Sequence, residues 1–405
     1  MPPSPSLAPS PAAATRRLVR ARAATVAVFL GSGAGYGAWA ACIPALQQKL
    51  GLSDAWLGLG LLGVAGGSIV FMPAAGWLCA RFGAGAVMLA SGALFALTLP
   101  LLALAPVFWA LVAASFLLGA SNGVMDVAMN AHATTVERDW GAAIMSSFHA
   151  GFSLGGLFGV AAAGWLLGAG LGAIECLFAA AGLVGALVAG AAVLGAGSDG
   201  AGAGDAGAAG GVRHGFVLPG RGVLGLGVLA GLIFLLEGSV ADWSGVFLGR
   251  ELGAAPGVTA WGFAAFSAAM VAGRLAGDRV VRALGGAVVL RAGAGLAAAG
   301  MALALVAGAP WAAAAGFGLV GLGAANVVPV LFSRAGERGP EALAAVATMG
   351  YAGFLLGPPL IGFVAEAVGL RAALGVPLLA AVAVLVLGRA GGRTGGRRVR
   401  AAPPA

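Results

Sequence analysis

Leu117–Gly156 reads LLGASNGVMDVAMNAHATTVERDWGAAIMSSFHAGFSLGG, and the fold turns on how this stretch is understood. Asn122, Asp126, Asn130, His132 and His149 lie inside or beside runs apolar enough to span a bilayer. A charge at that depth costs about 2.5–3.5 kcal/mol even on insertion scales, so an ionisable residue there is a candidate for function. The rest of the chain has the same character. With 60% hydrophobic residues, 9% charged and a mean hydropathy of +1.00 over 405 residues, a soluble globular protein is excluded.

A net charge of +8 would point to nucleic acid in a soluble protein. In a membrane protein it has another source, because cytoplasmic loops collect Arg and Lys, and no nucleic-acid partner is expected. Cys42, Cys79 and Cys176 fall in apolar segments without paired spacing, which indicates neither a disulfide framework nor a metal site. The start, MPPSPSLAPSPAAATRRLVRAR, has the Pro/Ser-rich and then basic character of a leader. The apolar run that follows, Ala23 to about Leu46, is long and leads straight into further spans, so it reads as a first transmembrane helix.

A spanning helix needs about 20 apolar residues. Twelve segments qualify, near 22–46, 55–79, 84–105, 107–134, 142–169, 171–194, 222–248, 257–280, 286–307, 310–333, 342–367 and 371–389. Between the sixth and seventh lies a Gly/Ala/Asp-rich stretch with the composition of a flexible linker. The expected organisation is all-α: a disordered basic tail (1–21), a six-helix bundle (22–195), a cytoplasmic Gly-rich linker (196–221), a second six-helix bundle (222–389) and a basic tail (390–405). With the N-terminus inside, all but Lys49, Arg250 and Arg371 of the 22 Lys and Arg fall on the cytoplasmic side. That asymmetry supports twelve spans with both termini cytoplasmic.

The two halves also repeat. His149–Gly156 (HAGFSLGG) matches Tyr351–Pro358 (YAGFLLGP), Gly119–Asn122 (GASN) matches Gly323–Asn326 (GAAN), and Trp39 and Trp243 keep nearly the same offset. A duplicated six-helix unit is a common transporter architecture.

Asn122, Asp126 and Asn130 form a polar stripe at i, i+4 and i+8 that drifts about 80° over two turns. Asp126 has two readings: a cap or ion pair with Arg81 or Arg138, or a group that titrates or contacts solute. His149 is expected roughly 12 Å into the fifth helix, at a depth where it could meet Asp126, and an imidazole beside a carboxylate suits proton coupling. Tyr351 takes its place in the second half, so packing is the competing reading. Ser146 and Ser153 lie on the His149 face, where bonds to their own backbone are the commoner role.

Glu237 is expected near mid-membrane in the seventh helix as a coupling or solute-contacting carboxylate, and Asp242 nearer the outer rim. Trp39 and Trp243 read equally as cavity aromatics or as interface anchors. Asn326 and Pro329, with Gly357, Pro358 and Pro359, mark breaks of the kind that act as hinges.

The stretches SNGVMDVAMNAH, MSSFHAGFSLGGLFG, EGSVADWSGVFL, AGRLAGDR and GYAGFLLGPPLIGFVAE, spread over both halves, resemble the major facilitator superfamily, in particular an uncharacterised bacterial branch of inner-membrane transporters. The superfamily's loop pattern Gly-x-Leu-Ala-Asp-Arg-x-Gly is met by Gly76, Leu78, Arg81 and Gly83, with Ala80 at the acidic position. A second copy, Gly273 to Arg279, keeps the acid as Asp278. The resemblance implies a cytoplasmic gate formed by Gly76, Arg81, Gly83, Arg274, Asp278 and Arg279, and a multi-pass protein of the bacterial inner membrane acting as a monomer. It further implies facilitative or proton-coupled passage of a small solute by alternating access, and the amides Asn122, Asn130 and Asn326 lean towards a polar one. The solute and protons are the expected partners with the bilayer, and Asn122, Asp126, Asn130, His149, Glu237, Asn326 and Tyr351 the candidates to handle them. No cofactor or metal is expected, no catalytic constellation converges, and no P-loop signature accompanies the helices. Export of apolar or cationic compounds is the alternative, and a non-transporting membrane sensor the third.

Overall fold

The structure, a computed structural model, describes residues 11–142, 144–197 and 221–388. In the first half these form α1 (Pro11–Leu50), α2 (Asp54–Phe82), α3 (Ala84–Leu104), α4 (Phe108–Trp140), α5 (Met145–Gly168) and α6 (Ala173–Val193). The second half holds α7 (Arg221–Leu252), α8 (Pro256–Thr259) running into α9 (Trp261–Leu284), α10 (Gly286–Val306), α11 (Pro310–Ala324) running into α12 (Val327–Gly336), α13 (Pro340–Val368), and α14 (Leu370–Ala373) running into α15 (Gly375–Leu387). Twelve segments are long and apolar enough to cross a membrane, and there is no strand among the described residues. Helices are what the bilayer demands, since every backbone N–H and C=O must be satisfied within the segment.

The ends differ from expectation where local chemistry extends a helix. α1 begins at Pro11, so the basic residues expected in a disordered tail ride on its first turns. Arg22 is held there by the Trp140 ring, 4.8 Å from its guanidinium, and by Ser147 Oγ at 3.5 Å. The expected linker lies outside the described residues apart from 196–197 and 221, as do residues 1–10 of the N-terminal tail and the C-terminal tail from 389. α5 starts at Met145 because Glu137 accepts from Ile144 N at 2.7 Å and from Met145 N, placing a carboxylate on the helix N-terminus. That accounts for the acid in the VER stretch.

The duplication is visible in the backbone. Gly83 ends α2 at φ 84°, ψ 143°, and Gly285 ends α9 at φ 79°, ψ 146°, a left-handed turn open to glycine and strained for other residues. Gly83, expected as a gate residue, therefore has a conformational reason to be glycine. Packing repeats too: α1 lies along α5 as α7 lies along α13, and α2 along α4 as α9 along α11. Close approach comes from small residues, as where Gly33 meets the Phe152 carbonyl of α5 and Gly353 the Gly231 carbonyl of α7.

The halves meet most closely at the end away from the chain termini. A Cβ on Gly58 of α2 would lie 2.7 Å from the Pro358 carbonyl oxygen of α13, and one on Gly257 2.7 Å from Gly168 Cα. Arg250 of α7 pairs with buried Asp54 of α2, which also accepts from Gln47 Nε2 at 2.9 Å; Glu366 of α13 accepts from Ala55 N at 3.4 Å. A cavity of about 590 Å³ borders these groups. Towards the terminal end, by contrast, the polar side chains of His149 on α5, Arg274 on α9 and Tyr351 on α13 are exposed. The gap between the halves is thus sealed at the far end and open at the terminal one.

Asp54→Asn is expected to loosen the seal. It leaves Arg250 without its counter-charge, and with Arg250 46% exposed the loss is about 1 kcal/mol, roughly fivefold in the open-to-sealed ratio. A cysteine placed at Ala45 in the cavity wall should then react several-fold faster with a polar thiol reagent, and an unchanged rate would mean that the pair holds nothing.

Candidate functional site

Five spanning segments present polar groups to the gap. At 1.5 Å per residue from the sealed end, Asp242 lies roughly 15 Å deep, Glu237 and Ser153 roughly 22 Å, and Arg274, Asp126, His149 and Tyr351 roughly 25–28 Å. They make a ladder of polar groups along an otherwise apolar gap.

Glu237, one of the expected carboxylates, sits midway along α7 with Oε1 buried and without a hydrogen-bond partner. The charge whose field reaches it is the guanidinium of Arg274 on α9. Arg274 also acts on His149 across the gap and donates to Ser153 Oγ on α5 at 3.5 Å. Ser153 in turn donates to the His149 carbonyl at 3.2 Å. Arg274 was expected at a helix end in a gate cluster; it lies three residues inside the end of the spanning window Pro256–Gly277, and α9 continues beyond that window to Leu284.

Asp126 and His149 do not meet, contrary to expectation. The Asp126 carboxylate accepts from Asn130 Nδ2 at 3.3 Å, the same amide that donates to the Asp126 carbonyl at 2.8 Å. Among the described residues it has no ion pair with Arg81 or Arg138; Arg138 lies 3.8 Å from Asp139 and Arg81 stacks on Phe82. His149, in the second turn of α5, packs edge-on against Phe29 at 5.4 Å. α1 intervenes between the two helices: it packs along α5 and also touches α4.

The charge of Asp126 reaches Tyr351 of the other half, and that of Asp242 reaches Tyr36. The chain has two tyrosines, and each lies within reach of the charge of a carboxylate on the opposite half. Tyr351 stacks on Phe234 at 5.7 Å. Asp242 is buried, and of the two acids on α7 it is the nearer to the sealed end. Tyr36 was passed over in the sequence, although the rarity of tyrosine was a usable signal.

Asn122 accepts from Ser32 Oγ at 3.3 Å within the first half. Its repeat partner Asn326 behaves differently: it interrupts the helix between α11 and α12 and donates from Nδ2 to the Gly273 carbonyl at 2.9 Å, bracing α9 beside Arg274. Trp39 and Trp243 are 2% and 0% exposed, so both are packed inside and neither lines open space in this state; Trp243 Nε1 has no partner. Of the expected gate residues, Gly76 borders open space and Arg279 is exposed. The side chains of Asp278 and Ser146 lie outside the described set.

His132 is not part of this ladder. It is buried in the first half with Nδ1 2.9 Å from Thr25 Oγ1, whose proton goes to the Ala21 carbonyl at 2.8 Å, so Nδ1 is the donor. His132→Ala should lower thermal stability by about 1–2 kcal/mol and leave solute handling intact. Equal loss of transport and stability would place it in the site instead.

A family model described as the Major Facilitator Superfamily matches residues 24–247. An uncharacterised MFS-type transporter of Yersinia pestis is 39% identical over 366 residues, 89% of this chain and 93% of the relative. Among solved structures, a mutant of the nucleoside transporter NupG aligns with a TM-score of 0.72 at 16% identity, over 92% of this chain and 98% of its own. A D-xylose-proton symporter aligns with a TM-score of 0.66 at 16% identity, over 89% and 96%. At such identity these two likenesses are of fold. The family match over more than half the sequence and the close relative along most of it carry further: this chain belongs to the Major Facilitator Superfamily, as a multi-pass membrane transporter.

Proposed function

We propose that the chain moves a small polar solute through the gap between its halves by alternating access, with passage linked to protons at Glu237. The observation that carries the reading is Glu237 itself: a carboxyl group at mid-span, one oxygen buried and unpartnered, on the wall of a gap sealed at one end. A carboxylate in such a place is costly while charged and far less so once protonated. A carrier that must bury this group to change state therefore changes state with a proton aboard.

Asn122, Asn130 and Ser153 add amide and hydroxyl groups suited to a polar solute, and Asp126 offers a second carboxylate. Two proteins of the same fold are a nucleoside transporter and a D-xylose-proton symporter. A guanidinium open to the gap repels cations, which weighs against export of cationic compounds. In this reading the terminal end is cytoplasmic, because it gathers nearly all the arginines, and the protein belongs in a bacterial inner membrane.

The test is reconstitution of the full chain in liposomes holding a pH-sensitive dye, challenged with sugars, nucleosides, amino acids and organic acids. Solute-dependent acidification of the lumen is the expected result. If labelled solutes cross and no proton accompanies any of them, the coupling is wrong; if none crosses, the transport reading of the gap falls.

A further inference from the structure

We infer that the solute carries a negative charge, as a small carboxylate does, and that Arg274 is the group that receives it. The inference rests on the transport reading and narrows its solute class. Arg274 lies inside the spanning window Pro256–Gly277, where an arginine is expensive unless something neutralises it. Among the described residues nothing does so directly: no carboxylate stands within ion-pair distance, and the single hydrogen bond, to Ser153, is long at 3.5 Å. The arginines at the sealed end are matched, Arg250 with Asp54 and Arg371 with Glu251. Among the described side chains, which do not include that of Asp278 one turn further on, Arg274 combines a place inside a spanning window, exposure to the gap and no ion pair.

Its surroundings complete an anion site. A guanidinium presents a planar fork of donors that fits a carboxylate in bidentate fashion. Ser153 lies on the opposite wall at hydrogen-bond range, with His149 one turn along the same helix. Asn326 holds the backbone of α9 at Gly273, the residue before Arg274, so the fork is aimed from a braced helix.

Glu237 gives the site its proton. Of the groups on elements packed against α7, Tyr36 of α1 lies within reach of the charge of Asp242, Tyr351 of α13 within reach of that of Asp126, and Arg371 of α14 lies at the far end against Glu251. Arg274 is the charge that reaches Glu237. While Glu237 is ionised it offsets the guanidinium from a distance; once protonated it leaves Arg274 as an uncompensated +1. One proton on Glu237 and one monoanion on Arg274 therefore enter together with no net change in charge.

The test reads the charge of the gap without needing flux. With Cys79 replaced by Ser and the buried Cys42 and Cys176 retained, Ser153→Cys sets a thiol beside Arg274. Its reaction with the sulfonatoethyl and the trimethylammonioethyl methanethiosulfonates is compared with that of a free thiol. A preference of about tenfold for the anionic reagent is expected, erased by Arg274→Gln. Benzoate, lactate and gluconate are then tried as protectants beside their amides. At least one carboxylate should slow labelling where its amide does not, and Arg274→Lys should keep the charge preference while weakening protection. Equal or cation-preferring reactivity, absence of carboxylate protection, or protection that survives Arg274→Gln would overturn the inference. A cation-preferring gap in a chain that still moves solute defeats only the anion assignment, whereas an anion-preferring gap in a chain that moves nothing defeats the transport reading.

Discussion

Proteoliposomes carrying Glu237→Gln are expected to lose gradient-driven accumulation by tenfold or more, while exchange of solute between compartments of equal pH persists. Glutamine has nearly the shape of protonated glutamate and cannot ionise. Substituting it removes the energetic difference between the empty, deprotonated carrier and the loaded, protonated one, and that difference is what would make movement of the gap depend on a proton. Exchange needs only that the neutral form change state, which the amide permits. Buried Oε1 has no hydrogen-bond donor facing it, so the substitution breaks no bond in the structure and folding is preserved. Accumulation at the wild-type level by the Gln variant would show that Glu237 is not the coupling group. Asp126→Asn should cost less, because Asn130 already satisfies that carboxylate in part.

The second large effect is expected from Gly362→Leu. Gly362 of α13 faces the Asp54 carbonyl of α2, and a Cβ there would also lie 3.2 Å from Gly58 Cα. Overpacking a tight contact costs about 1–3 kcal/mol or more. Here the clash lies between halves and is relieved when they part, so the protein should fold and insert while the seal fails to form. Flux should fall by more than tenfold and the Ala45→Cys probe should react as in an open state. Gly33→Leu is the contrast: its clash with the Phe152 carbonyl lies inside one half, no motion relieves it, and the chain should not accumulate folded. Normal transport by Gly362→Leu would mean that the close approach of α2 and α13 is not needed for the cycle.

Much of the architecture was legible because a bilayer leaves few options. Apolar runs of spanning length, glycines at the turns and the placement of arginine fix twelve helices. The breaks before Trp261 and at Asn326 are harder to read, since the residues around them stay apolar and helix-compatible; Asn326 reads in the sequence both as a hinge and as a solute-handling amide. Site residues were legible one at a time as polar groups in the wrong solvent, but their pairings were not. Arg274 with Ser153 joins opposite halves, as does the reach of the Asp126 charge to Tyr351 and of the Asp242 charge to Tyr36, and such pairings depend on how two bundles face each other, which no local spacing encodes. Arg274 went to a helix end because its motif is a loop motif; the continuation of α9 to Leu284 was hidden by an ordinary amphipathic run. Gln47, Asp54 and Glu366 carried no signal beyond the fact that Arg250 was one of few cations left on its side.

The ion pair between Asp54 and Arg250 borders a cavity of about 590 Å³, wide enough for hydrated ions. The screening length shrinks from about 8 Å at physiological ionic strength to about 3 Å at 1 M, so dissolved salt competes directly with the contact that favours closure. The buried cores of the two halves are largely apolar and feel little such competition. Salinity on that face would therefore shift how long the carrier waits in each state without touching its fold, making the medium's ionic strength a throttle on turnover.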